Sequence, residues 1–192
     1  MANVGYLKMD RQASAKQQER RRGMCYSAKA VANFFIKKSL EDHKPLTHLQ
    51  LQKMVFFAHA VYFKKYHKPL IVDPIFAWKY GPVIQDLYLE LKHYKNAPIS
   101  GAIASCDITP DGDMYSRIPE INWNDSKMVD FLDDAYNSLS KMKVSRLCAV
   151  SHADGGAWYK TLQNNGKNPN DHDVDIPRNL IIPDAVIEAC GR

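Results

Sequence analysis

Apolar residues recur along the chain with a helical period that breaks at a few defined places. Ser27 precedes a stretch in which Ala28, Val31, Phe34 and Phe35 fall on one side. A serine there can cap a helix, because its side-chain oxygen accepts from an orphan backbone N–H. The spacing predicts a first helix that stops near His43 to Pro45, since proline disfavours helix at the residue before it. Thr47 and Gln50 form a capping box for a second helix, running to about Tyr66. Leu51, Met54, Val55, Ala58, Val61 and Tyr62 follow its period, and Phe56, Phe57 and Phe63 widen the apolar surface. A helix apolar on most sides is expected at the centre of its domain.

His67 to Asp73 reads as a turn with a short extended stretch. Gly81 followed by Pro82 predicts the start of a third helix, because proline suits the first helical position. Its buried stripe would be Ile84, Leu87, Tyr88 and Leu91. Residues 96–123 are rich in Gly, Pro, Asp and Ser and read as a loop with a small hairpin. A fourth helix follows from about Asp125 to Ser140, with Met128, Phe131, Leu132, Ala135 and Leu139 in register. A fifth covers Val144 to about Ser151. Gly155-Gly156 breaks the chain before a short helix with Trp158 and Leu162. Asn164 to Asp175 reads as an exposed polar loop, and the tail from Pro183 as one or two helical turns. The predicted fold is mainly α: a single compact helical domain with a small β element.

Length and charge refine this picture. The 192 residues suit one domain, and 45% hydrophobic content is enough for a core without staples. Of the net charge of +5, residues 1–23 carry +4, with Lys8, Arg11, Lys16, Arg20, Arg21 and Arg22 against Asp10 and Glu19. That segment has almost no apolar face, so it is expected to be a flexible basic arm or a frayed helix preceding a domain at 24–192. Met24 is a second candidate start. The body is close to neutral and lacks the basic face of a dedicated nucleic-acid-binding domain, so only weak binding through the arm is expected. No stretch approaches the roughly 20 apolar residues that span a bilayer, and no apolar leader opens the chain. A cytoplasmic location without membrane contact is the expectation. Cys25, Cys106, Cys148 and Cys190 form no close pair, so reduced thiols are expected and no metal site.

Chemistry-bearing motifs are few. There is no phosphate-binding glycine loop, HExxH, GxSxG or EF-hand loop. Ser151-His152-Ala153-Asp154 brings a hydroxyl, an imidazole and a carboxylate together, but sequence neighbours rarely form a triad. The simpler reading of His152 is a helix C-terminal residue favoured by the helix dipole. Lys53 sits among apolar residues of the second helix. Its ammonium is expected to snorkel to solvent, or else to pair with a buried carboxylate or a helix C-terminus. His59 reads as a satisfied, partly buried side chain. Phe76, Trp78 and Tyr80 form an aromatic cluster, for which core packing and a partner groove are the two readings. Core is favoured for Trp78; Tyr80 is open between the two.

Longer strings then become recognisable. Leu51-Gln52-Lys53-Met54-Val55-Phe56-Phe57-Ala58-His59-Ala60-Val61-Tyr62, followed by Lys68-Pro69-Leu70 and Ile75-Phe76-Ala77-Trp78-Lys79-Tyr80-Gly81-Pro82-Val83, resembles the Panacea domain in order and spacing. Ser151-His152 and Gly156-Ala157-Trp158 resemble that family's later "(S/T)H…W" element, and Ser27 to Phe35 its opening helix. The resemblance covers about residues 24–165. Phe56 stands where tyrosine is common, and His59-Ala60 replaces the usual Gln-Gly. The family comprises SocA-like bacterial antitoxins and GepA-like phage-associated proteins. The resemblance implies a non-enzymatic antitoxin, without cofactor, that binds and neutralises a cognate toxin encoded nearby. A variant is a proteolytic adaptor delivering the toxin to the ClpXP protease. The alternatives from other classes are a small hydrolase using His152 and a nucleic-acid-binding accessory protein using the arm. The partner-binding or family-motif residues are Lys53, Trp78, Lys79, Tyr80, Gly81, Pro82, His152 and Trp158, and no catalytic or metal-binding residue is assigned.

Overall fold

The computed structural model describes residues 25–165 and 174–177. The readings for the arm at 1–23, for Met24 and for the tail from Pro183 lie outside these residues. Ser27 caps α1 (Ala28–Glu41), its hydroxyl accepting from the Ala30 N–H. Asp73 adds a second acceptor, taking the Ala28 N–H at 2.6 Å. Thr47 caps α2 (His48–Tyr66) by accepting from the Gln50 N–H, as the capping box predicts. The remaining elements are β1 (Ile75–Trp78), β2 (Gly81–Ile84), α3 (Gln85–Leu91) with a 3-10 turn after it (Lys92–Tyr94), β3 (Ser105–Ile108), β4 (Met114–Arg117), α4 (Ser126–Leu139), α5 (Val144–Ser151) and α6 (Ala157–Asn165).

The fold is mainly α with two small two-stranded antiparallel sheets, β1–β2 and β3–β4. Helix α2 packs against α1, α3, α4, α5 and β2, and every residue from Leu51 to Ala60 is buried. The all-round apolar pattern thus describes the central helix, as expected. Around it the core gathers Phe34 and Phe35 of α1, Leu87 and Leu91 of α3, Phe131 and Leu132 of α4 and Leu147 of α5. Polar links from α1 to α4 are the Tyr136 hydroxyl donating to Asp42 Oδ2 at 2.9 Å and the Lys38–Asp133 ion pair at 2.8 Å.

Two expectations need correction. Gly81-Pro82 does not start a helix: it opens β2, and α3 begins only at Gln85. Proline's fixed φ fits extended backbone as well as a first helical turn, so the dipeptide alone does not choose. Nor is 164–175 entirely an exposed loop. Val174 and Ile176 are buried, Ala77 N–H donates to Val174 O, and Ile176 N–H to Ile75 O. Residues 174–176 cover the free edge of β1, where unpaired backbone groups need partners.

Candidate functional site

The β1–β2 hairpin is the focus of the family-motif residues. Its register pairs Ile75 with Ile84, Phe76 with Val83, Ala77 with Pro82 and Trp78 with Gly81. Lys79 and Tyr80 are left as the turn. Gly81 closes it at φ 99°, a conformation that residues with a side chain rarely adopt. Among the described residues the other edge of β2 has no strand beside it. Two neighbouring side chains of α2 cover it instead. Gln52 makes a paired contact with one residue, donating to Ile84 O at 3.0 Å and accepting from Ile84 N–H at 3.1 Å. Lys53 Nζ donates to Tyr80 O at 3.0 Å and to Pro82 O at 3.1 Å.

Lys53 therefore does not snorkel: the residue is 1% exposed. Among the described residues it pairs with neither a carboxylate nor a helix end. A buried cation is tolerated when hydrogen bonds replace its water, and here two backbone carbonyls of the hairpin do so. Burial pushes its pKa down to about 8, with the nearby Cys148 side chain acting weakly in the opposite direction.

The end of α5 closes the site from the other side. His152 is the C-cap of α5, its backbone N–H bonded to the Cys148 and Ala149 carbonyls, as the helix-end reading expects. Its imidazole meets the Trp158 ring edge-on at 4.5 Å between centroids. Its Nε2 is buried and has no hydrogen-bond partner among the described residues. Burial, and then the Lys53 ammonium, lower its pKa, while the Cys148 and Tyr80 backbones partly oppose this. Trp158 Nε1 donates to Trp78 O at 2.8 Å, tying α6 to β1.

All these groups converge on Gly81. A Cβ at that position would lie 2.6 Å from Lys53 Nζ, 2.8 Å from His152 Nε2 and 3.1 Å from Ser151 Oγ. Only glycine fits both the φ and the space. Trp78 is half-buried and packs edge-on against Tyr88 at 4.9 Å, midway between the core and surface readings. Tyr80 resolves toward the surface: at the tip of the hairpin it is 73% exposed, with Lys79 Nζ 5.7 Å from its ring centre. Pro82 is buried.

The eight sequence-derived residues are thus brought to one place. Two more belong with them: Gln52 and Ser151. A glutamine inside an otherwise apolar helical run was the available signal for Gln52, since a buried amide must find partners. The arrangement is not that of a hydrolytic triad. Ser151 Oγ donates to Cys148 O at 2.8 Å, and Asp154 is exposed. Among the described residues no three His, Cys, Asp or Glu side chains are grouped to hold a metal ion, and no helix is long and apolar enough to cross a membrane.

The family described as "Antitoxin SocA-like, Panacea domain" matches residues 51–159, a span that contains Lys53, the whole hairpin, His152 and Trp158. Antitoxin SocA of Caulobacter vibrioides (strain NA1000 / CB15N) is 29% identical over 141 residues, covering 73% of each chain. No solved structure matches the chain. The matched span, more than half of the chain, places it in the SocA-like antitoxin family, built on the Panacea domain.

Proposed function

We propose that the chain is an antitoxin that neutralises a cognate toxin by direct contact and without catalysis, with the Lys79–Tyr80 turn as part of the contact surface. Family membership supports the antitoxin role. The observation that carries the surface is a large aromatic side chain, 73% exposed, on a turn whose backbone is held by a buried ammonium. Tyrosines are enriched at interface hot spots because they bury much area at small entropy cost. A turn already held rigid loses little further freedom on binding. Stable specific interfaces bury on the order of 1,600 Å² in total, so the turn would be one anchor within a larger face.

The test is growth rescue and co-purification with the neighbouring toxin gene product, for the wild type and for Tyr80→Ala. The variant should melt like the wild type, because the side chain is outside the core, and should lose rescue and co-purification. Equal rescue by the variant would remove the turn from the contact surface. Rescue is also measured in cells lacking ClpXP. Neutralisation that persists there supports occlusion, whereas neutralisation that disappears replaces occlusion with the adaptor mechanism.

A further inference from the structure

The backbone on both sides of the Lys79–Tyr80 turn is gripped by side chains from distant parts of the chain. Trp158 of α6 donates to Trp78 O, just before the turn, across 80 residues of sequence. Lys53 of α2 donates to Tyr80 O within the turn and to Pro82 O just after it. Both donors act on backbone carbonyls alone, and the side chains of Lys79 and Tyr80 are left exposed.

The hairpin needs this support. β1 and β2 are four-residue strands forming a two-stranded sheet, and an isolated two-stranded hairpin is at best marginally stable in water. The two-residue turns that hold a hairpin by local preference have positive φ at one or both central residues, as in Asn-Gly. Neither Lys79 nor Tyr80 has positive φ; the bend is taken up by Gly81 at 99°. The site around Gly81 is tightly filled, since a Cβ there would lie 2.6 Å from Lys53 Nζ and 2.8 Å from His152 Nε2. Trp158 in turn packs edge-on against His152. Lys53 is 1% exposed, so a partner could not reach it without opening the fold.

We propose that Lys53 and Trp158 are positioning residues that act through the turn: they order its backbone in the free protein, so that Tyr80 is presented to the toxin already fixed. The use of the ordered turn in toxin binding rests on the reading above; the ordering itself does not. Fixing even one free residue on binding would weaken affinity about tenfold, and the clamp removes that cost beforehand.

Two measurements on the full chain test this. The variants are Trp158→Phe, which keeps a ring beside His152 and removes the N–H, and Lys53→Met, which removes the ammonium. Each is made alone and together with Tyr80→Ala. Amide nitrogen relaxation of the free protein reads the order of Lys79, Tyr80 and Gly81. Rigid backbone has an order parameter of about 0.85 and flexible backbone one below about 0.6. The wild type should lie near the first value. Each variant should fall toward the second at these amides, with α1 unchanged. Titration calorimetry with the neighbouring toxin gene product, below the melting range, reads affinity. Each variant should bind about tenfold more weakly, and should add little to the loss already caused by Tyr80→Ala, because both act through that side chain. Should Lys53→Met fail to fold, Trp158→Phe alone decides. A turn that stays as ordered as in the wild type overturns the proposal, even where the Tm falls, because the donors are then only structural. A loosened turn with unchanged affinity, or losses fully additive with Tyr80→Ala, overturns the positioning role and leaves the antitoxin reading standing. Toxin that binds Tyr80→Ala as well as the wild type overturns the contact surface, and the role in recognition falls with it, while relaxation still shows whether the clamp orders the turn.

Discussion

Replacing Gly81 with alanine adds one methyl group at the point where the site is most crowded. Two costs follow. The backbone there has φ 99°, and holding a residue with a Cβ in such a region costs of order 1–3 kcal/mol. The new Cβ would also lie 2.6 Å from Lys53 Nζ and 2.8 Å from His152 Nε2. The lysine is the far end of a long side chain and could swing away, but it would give up its bonds to Tyr80 O and Pro82 O in buried surroundings. A hydrogen bond to a charged group contributes about 1.5–3 kcal/mol. Losing one of the two and bearing the backbone strain gives a total of about 2.5–6 kcal/mol. That is a large share of the roughly 5–15 kcal/mol that holds a typical domain folded. For a chain of this size it corresponds to a fall in Tm of about 10 °C. Thermal and urea denaturation of Gly81→Ala measure it directly. A double-mutant cycle with Lys53→Met separates the two costs, since a clash with the ammonium makes the pair non-additive, whereas backbone strain alone leaves them additive. A fall in Tm of less than about 2 °C would refute the strain argument, and strict additivity would refute the part assigned to Lys53.

Three further outcomes follow from the same geometry. Lys53 has its pKa lowered to about 8 in the folded protein against 10.5 for an exposed lysine, so between these values the unfolded chain binds more protons. Raising the pH through that window should therefore stabilise the wild type relative to Lys53→Met, by up to about 3 kcal/mol; a flat difference between their melting curves from pH 7 to 10.5 would contradict the buried cation. His152 is likewise lowered, by burial first, so its contribution to stability is lost as pH falls below 6.5 and the unfolded state takes up the proton first. His152→Gln should melt less steeply with acid than the wild type between pH 7 and 5, while the similarly lowered His48 keeps part of the slope in both. Finally, Tyr136→Phe removes the hydroxyl that bridges α4 to Asp42 and should cost about 1–2 kcal/mol in urea unfolding; a change below a few tenths would show that water replaces the bond without penalty.

Much of this was legible in the sequence. The helical period of Leu51 to Tyr62, the serine and threonine before α1 and α2, and the Gly155-Gly156 break are local features. Local backbone preferences and the burial of one face decide them, so the elements they predict appear where expected. The longer strings also picked out residues that the fold brings together, because Lys53, the Trp78–Pro82 run, His152 and Trp158 do meet. Three things were decided only by tertiary contact. Gly81-Pro82 is compatible with a helix start and with a strand, and pairing of Ala77 with Pro82 and Trp78 with Gly81 chose the strand. Lys53 is buried because the carbonyls of Tyr80 and Pro82, 27 and 29 residues away, replace its water, and nothing within its own helix announces them. The pairing of Val174 and Ile176 with β1 joins residues about a hundred positions apart. Periodicity reports which face of an element is apolar. Which polar groups then find one another across the core depends on distances that exist only once the chain has folded.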